Sequence, residues 1–172
     1  MKEAIGGTWL FGIVITFIVF FTTFISFSTN YSRTFKVKDE VITIIERHKG
    51  VNDNTISYIN KKIKDMGYFN TGDCVDNSGE KYTVSEKYSY WNGFKVNSTT
   101  GTKNSTNSNY CIRRYLISAE NAGPIGHPSA AYYQVVVFFE LDWPIVGTLL
   151  STRVEGETAI IHSFDDKASL FS

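Results

Sequence analysis

The chain has 172 residues, and its 17 basic and 17 acidic side chains give a formal net charge of zero. This balance provides no basic field for nucleic acid, so no nucleic-acid partner is predicted. The length allows one compact domain in addition to one apolar segment, and hardly two domains.

The apolar segment lies close to the N-terminus. It has no charged residue from Ala4 to Ser32, and its apolar residues are densest from Thr8 to Ser28. About 21 helical residues span roughly 32 Å, which matches the hydrocarbon thickness of a bilayer. Trp9 and Tyr31 flank the run, where aromatic rings favour the membrane interface. We predict a transmembrane helix that remains as an anchor, because its apolar core is longer than that of a cleaved signal peptide.

One face of the predicted anchor carries small or hydroxylated side chains at helical spacing. These are Gly12, Thr16, Val19, Thr23 and Ser26, and the opposite face carries Phe17, Phe21 and Ile25. Small residues let membrane helices approach closely, so Gly12, Thr16, Thr23 and Ser26 are the predicted helix-packing residues. In the alternative interpretation, the hydroxyl groups only bond to carbonyls of their own helix.

The orientation of the anchor rests on two opposing patterns. Arg33, Lys36 and Lys38 follow the apolar run, and the positive-inside rule alone would place the C-terminal region in the cytoplasm. The cysteine pair Cys74 and Cys111 instead favours an oxidising compartment and a disulfide, with two free thiols as the alternative. We expect a single-pass protein of the cell membrane, with residues 1–29 as cytoplasmic tail and anchor and residues 30–172 as an extracytoplasmic domain.

Two helices are predicted next. The first, about 31–49, is amphipathic, continues the anchor and ends at Gly50 after a basic run. The second, about 53–66, is capped by Asn52 or Asp53 and carries isoleucines on one face.

The apolar pattern then changes to the period of two that is typical of strands. Strands are predicted at about 81–91, 94–97, 110–118, 131–142 and 152–164, the last interrupted by Gly156. The dipeptide Asn92-Gly93 predicts a type I′ hairpin turn, and the polar segment Asn97–Asn109 predicts a mobile loop. The expected fold is α+β: a small antiparallel sheet of three to five strands packed against the amphipathic half of the long helix.

The sequence predicts no catalytic residue, no metal and no cofactor, and hence no enzyme. The three histidines, His48, His127 and His162, lack the spacing of a zinc site. Oxygen-bearing side chains around Cys74 could hold calcium, but we favour a solvated acidic turn because their spacing does not fit a helix–loop–helix site. They are Asp73, Asp76, Asn77 and Glu80.

Several segments resemble the TadE-like minor pseudopilins of tight-adherence (Flp-type, type IVc-like) pilus systems. They are MKEAIGGTWLFGIVI, FKVKDEVITIIERHKG, a second helix ending in MGY, and YYQVVVFFELDWPIVGTLLSTRVEGETAII. The resemblance implies a membrane-anchored, pilin-like structural or assembly subunit connected with cell adhesion. Its expected partners are the lipid bilayer, other pilin-like subunits, pilus-assembly membrane proteins and, in a homo-oligomer, further copies of itself.

The resemblance does not extend to a prepilin-peptidase site. The glutamate that often follows the processing glycine by five residues is replaced here by Gly12, counted from Gly7. The alternative function is a signal-anchored extracytoplasmic ligand-binding or sensory domain, with the aromatic segment from Tyr82 to Phe94 as its site. The tail of about seven residues before the span is too short for a signalling module, which favours the structural function.

Overall fold

The computed structural model describes residues 2–75, 89–117, 130–143, 147–167 and 170–171, without the side chains of residues 2–7 and 141–151. In chain order the helices are α1 (Lys2–His48) and α2 (Asp53–Asp65). The strands are β1 (Asn92–Phe94), β2 (Thr102–Lys103), β3 (Tyr110–Ile117), β4 (Ala130–Trp143), β5 (Gly147–Glu157) and β6 (Ile161–His162). The α+β class is confirmed, with six strands in the described part of the chain.

Helix α1 is continuous over 47 residues and lies in two different environments. Side chains from Trp9 to Phe24 are mostly exposed, whereas Val37, Val41 and Ile45 are fully buried. The helix ends where Gly50, at φ 142°, donates its N–H to the carbonyl of Ile45. A Cβ at Gly50 would lie 2.6 Å from the carbonyl oxygen of Asp165, so glycine is required there for space as well as for its backbone conformation.

Helix α2 packs beside the buried half of α1. Its N-cap is Asn52, whose Oδ1 accepts a hydrogen bond from the N–H of Thr55 at 2.9 Å. Its inner face consists of Ile56, Ile59 and Ile63, all buried. The predicted helix 53–66 is therefore reproduced to within one residue at its C-terminal end.

The strands form one antiparallel sheet in the order β2-β1-β3-β4-β5, with β6 beside the start of β4. Alternate residues of β4 point to opposite faces because strand side chains alternate. The odd-numbered residues Tyr133, Val135, Val137 and Phe139 join the core under α1 and α2. The even-numbered Val136 and Phe138 belong to a second buried cluster on the other face.

The predicted hairpin turn at Asn92-Gly93 is wrong. Both residues lie inside β1, where they pair with Ile112 and Cys111 of β3 on one side and with β2 on the other. Glycine is needed here for space, because a Cβ at Gly93 would lie 2.7 Å from Cys74 Sγ and even closer to a serine hydroxyl. The predicted strand 94–97 is accordingly replaced by β1 at Asn92–Phe94.

The prediction of a mobile loop with nothing to bury is also wrong for the segment 97–109. It contains β2, and Ser108 is fully buried and exchanges two backbone hydrogen bonds with Gly72, at 2.8 and 2.9 Å. Asn109 accepts from the N–H of Val96 at 3.0 Å and donates to the carbonyl of Asn70 at 3.1 Å. The Asn109 side chain thus satisfies backbone groups that the fold buries.

The predicted last strand, 152–164, is two strands. Gly156 lies within β5 opposite Val135, and the pairing stops at Glu157 before β6 begins at Ile161. A Cβ at Gly156 would meet Ile42 and Lys38 of α1 at 2.8 and 2.9 Å, so this glycine allows β5 to approach the helix. Most of the predicted strand 81–91, the oxygen-bearing residues Asp76, Asn77 and Glu80, and the turn that contains His127 lie outside the described residues.

Candidate functional site

Helix α1 is the one described helix that is long and apolar enough to cross a membrane. The N-terminal half of α1, which we call its bare half, has mostly exposed side chains from Thr8 to Ser28. It carries the predicted helix-packing residues Gly12, Thr16, Thr23 and Ser26, and the space over Gly12 is open to at least 4 Å. Thr16 and Thr23 donate their hydroxyl protons to the carbonyls of Gly12 and Val19, at 2.9 and 2.8 Å. Both threonine hydroxyls thus bond to carbonyls of their own helix, and each keeps free acceptor capacity. Packing of these residues against a partner helix stays a prediction.

The helix-packing residues are in phase with the buried face of the same helix. At 100° per residue, Gly12 lies within about 20° of both Val37 and Val41 around the helix axis. The bulky residues Phe17 and Phe21 lie on the opposite side. The small-residue face of the anchor thus points to the side on which the domain is attached.

The two predicted cysteines are joined in a disulfide with a Cα–Cα distance of 5.6 Å. Cys74, in the segment after α2, and Cys111, in β3, are almost fully buried beside Trp91, Val136 and Phe138. The predicted disulfide is confirmed, and it holds the segment after α2 against the face of the sheet away from α1. A disulfide is typical of a domain in an oxidising compartment.

A buried ion pair that the sequence did not predict holds the C-terminal segment in place. Asp166 Oδ2 accepts from Arg114 at 2.9 Å, and Oδ1 accepts from Tyr133 Oη at 2.6 Å and from the N–H of Val51 at 2.8 Å. Only 3% of the Asp166 side chain is exposed. No local pattern could reveal this cluster, because its members come from the loop after α1, two strands and the C-terminal segment.

Three buried tyrosines have pKa values raised above the ordinary range. Loss of hydration raises the pKa of Tyr110 and Tyr68, and in Tyr133 the same effect is reinforced by the Asp166 carboxylate. Each phenol is hydrogen-bonded: Tyr110 donates to Asn60 Oδ1 at 2.9 Å, and Tyr68 accepts from the N–H of Phe138 at 2.8 Å. These groups therefore stay neutral and act in the structure of the core.

The aromatic segment of the alternative function is described only from residue 89 onward. Trp91 and Phe94 are buried, and the guanidinium of Arg113 lies 4.7 Å from the centre of the Trp91 ring. Tyr82 lies outside the described residues. The described part of this segment is core of the domain, and a ligand site there stays a prediction.

A polar cavity of about 180 Å³ lies where α1 leaves its bare half and meets the sheet. We call it the junction cavity; its polar lining consists of Asn30, Arg33, Thr34, Tyr68, Asn70 and Glu140. The backbone of Gly67 and the exposed ring of Phe69 complete the wall. Sequence reasoning missed this site, since Arg33 counted only as a flanking charge and Glu140 only as a strand residue.

Among the described residues, no group of three or more His, Cys, Asp or Glu side chains is arranged to hold a metal ion. The described residues thus provide surfaces for packing, a disulfide and a polar cavity.

The fold and these sites define a single α+β domain carried on a helix that is long and apolar enough to span a membrane. Comparisons with known protein families, curated proteins and solved structures found no match to this chain.

Proposed function

We propose that the protein is a membrane-anchored, pilin-like structural or assembly subunit of a bacterial tight-adherence pilus or a related secretion system. The observation that carries the proposal is the continuity of α1, whose exposed apolar half runs without a break into the half buried in the domain. Its 47 residues extend over about 70 Å. A contact made by the anchor is thus transmitted to the domain through one rigid element, as a subunit that assembles by its helix requires.

The second support is the side of the helix on which the small residues lie. Lipid offers no hydrophobic drive for helix association, so close packing depends on small residues and shared hydrogen bonds. Gly12 and Ser26 are exposed and lie on the same side of α1 as the attached domain. A partner helix packed against Gly12 therefore passes beneath the domain.

This arrangement restricts the geometry of the partner. Two copies in a parallel, unstaggered pair with Gly12 facing Gly12 would bring their domains into the same space, because each domain lies on the Gly12 side. A partner that fits is a copy shifted along the helix axis or a membrane helix that ends below the sheet. Among the described side chains, the sheet first contacts α1 at Phe139 of β4, whose ring lies 5.3 and 6.0 Å from the rings of Phe27 and Tyr31, measured between centroids.

Paired substitutions on the two sides of the anchor test this function. Gly12→Leu and Ser26→Leu should block close approach of a partner helix while keeping the span hydrophobic, and should abolish or strongly reduce assembly. Phe17→Leu and Phe21→Leu, on the opposite face, serve as controls and should be nearly silent. The measurements are in-membrane crosslinking and counts of surface filaments. Equal behaviour of the two pairs would show that the helix is an anchor only.

The proposal includes an N-terminus in the cytoplasm and an extracytoplasmic domain. A membrane-impermeant thiol reagent should label Cys74 and Cys111 in intact cells only after reduction, because the two thiols are joined in a disulfide. A lysed sample gives the total reactive thiol as the control. Labelling that requires lysis would place the domain in the cytoplasm and contradict the proposed orientation.

A further inference from the structure

The junction cavity lies at the depth of lipid headgroups if α1 crosses a bilayer. Arg33 is the first charged residue after the uncharged run and follows Ser28 by five positions, or about 7.5 Å of helix. A headgroup layer is roughly 5–8 Å thick on each side of the hydrocarbon. Asn30, Arg33 and Thr34 therefore lie at the depth of this layer, while Phe27 lies near the hydrocarbon boundary.

The cavity presents one positive and one negative side chain from different elements. Arg33 comes from α1 and Glu140 from β4, and both line the cavity. Among the described ion pairs, neither residue pairs with the other or with any third group. An arginine and a carboxylate that line one polar cavity without pairing match a ligand that carries both charges.

The remaining lining adds hydrogen-bonding groups and an apolar edge. Asn70 already donates to the carbonyl of Phe138 at 3.3 Å, which orients its amide, and its oxygen is an acceptor. The Tyr68 hydroxyl is engaged with the backbone of Phe138, so it is a wall and not a free group. Phe69, 66% exposed, lies at the rim, where an aromatic ring suits the membrane interface.

We propose that the junction cavity binds the headgroup of a zwitterionic aminophospholipid, of the phosphatidylethanolamine type, from the leaflet on the side of the domain. Arg33 donates hydrogen bonds to the phosphate, and Glu140 accepts from the ammonium group. The acyl chains run along the bare half of α1. The bound lipid then fixes the height and tilt of the domain above the bilayer. This inference depends on α1 crossing a membrane and not on any role in a pilus.

Lipid retention by the purified full-length protein tests the proposal. Native mass spectrometry in mild detergent would compare phosphatidylethanolamine with phosphatidylglycerol, which has the phosphate but no ammonium group. We expect the unmodified protein to retain phosphatidylethanolamine preferentially. Glu140→Gln should reduce that preference about threefold to fivefold, and Arg33→Gln should reduce retention of both lipids by a similar factor.

Matched controls separate this site from a general effect of charge. Lys36→Gln removes a positive charge one helical turn away on a side of α1 that does not line the cavity, and Glu155→Gln removes an exposed acid of β5. Both should behave like the unmodified protein. Retention without preference in the unmodified protein, or equal losses in the controls, would overturn the proposal.

A further arm distinguishes the lipid from a free compound. Soluble glycerophosphoethanolamine carries the same phosphodiester and ammonium charges without acyl chains, so it should bind far more weakly than the lipid and displace it only at high concentration. Equal binding of the free compound in lipid-free detergent would show that the cavity recognises a soluble phosphoamine, and the membrane-lipid proposal would be wrong. Filament assembly is not measured in any of these arms, so the result is independent of the proposed function.

Discussion

Asp166 links the C-terminal segment to three other parts of the domain. Its carboxylate accepts from Arg114, Tyr133 and the backbone of Val51, which come from two strands and from the loop that follows α1. Arg114 in turn lies over the rings of Phe164 and Phe171, at 5.6 and 4.9 Å from their centres. One buried charge thereby holds the end of the chain against the sheet and the helices.

Replacing Asp166 with asparagine should lower the free energy of unfolding by about 2–4 kcal/mol, because a buried guanidinium loses its charge partner. The new amide group would also face donors where an acceptor is required. Chemical denaturation of the full-length protein in detergent, followed by circular dichroism, measures the change.

The adjacent Asp165→Asn is the matched control. This carboxylate is exposed, and its side-chain contact with Asn52 is long, at 3.4 Å, so the expected change is within about 0.5 kcal/mol. Equal effects of the two substitutions would mean that the buried ion pair contributes nothing particular to stability.

At the scale of elements, the sheet is covered on two faces by different means. Helices α1 and α2 cover one face with a large apolar core, whereas the other face is covered by the chain segment that carries Cys74. In the described part of the chain the second cluster contains five buried residues, and the disulfide lies among them. The disulfide therefore adds a covalent link to the apolar contacts on this face.

Removing the disulfide should destabilise the domain by about 3–4 kcal/mol, because it closes a loop with a sequence separation of 37 residues. The double variant Cys74→Ala with Cys111→Ala, compared with the unmodified protein by denaturation, measures this cost. A reducing agent should weaken the unmodified protein to a similar degree and leave the double variant unchanged. An unmodified protein that is insensitive to reduction would contradict this account.

For the whole molecule, buried tyrosines connect the layers of the core. Tyr110 joins β3 to α2 through Asn60, Tyr68 joins the end of α2 to β4 through Phe138, and Tyr133 joins β4 to the C-terminal segment through Asp166. All three phenols are neutral in the folded state, with pKa values raised by burial. The integrity of the core therefore depends on their remaining protonated.

The protein should lose stability as the pH rises above about 10. Below that pH both folded and unfolded states keep the phenolic protons, so these groups contribute no pH dependence. Above it the unfolded chain releases protons that the folded chain retains, and the free energy of unfolding falls by up to about 1.4 kcal/mol per pH unit for each tyrosine. Denaturation at a series of alkaline pH values, with tyrosinate absorbance as a second signal, measures this slope.

Two phenylalanine variants isolate the tyrosine contribution. Tyr110→Phe loses a hydrogen bond and should be less stable below about pH 10. Above that pH its free energy of unfolding should fall less steeply than that of the unmodified protein, because one tyrosine no longer contributes to the slope. Tyr58→Phe, at a residue that is 59% exposed, should leave the slope unchanged. Identical slopes in all three proteins would show that other groups cause the alkaline transition.

Features that depend on near neighbours in the chain could be predicted from the sequence. The long helix, the capped helix α2 and the strands β3 and β4 follow from apolar periods and caps, because a helix or strand face is set by residues a few positions apart. The cysteine pair was also predictable, since two cysteines permit only one disulfide within the chain. The in-phase position of Gly12 and Val41 along α1 is likewise a property of the helix period alone.

Features that depend on distant neighbours were decided only by the tertiary structure. Asn92-Gly93 has the local signature of a turn, yet the pairing of β1 between two strands and the nearby disulfide require an extended glycine without a side chain. The partners of Asp166 lie as far as 115 residues away, and Arg33 and Glu140 meet only because β4 packs on α1. The sequence by itself determined the long apolar helix, α2 and the strands β3 and β4, because those depend on local periodicity and composition. Which polar groups share a cavity or an ion pair was decided by the tertiary structure, because long-range packing brings them together.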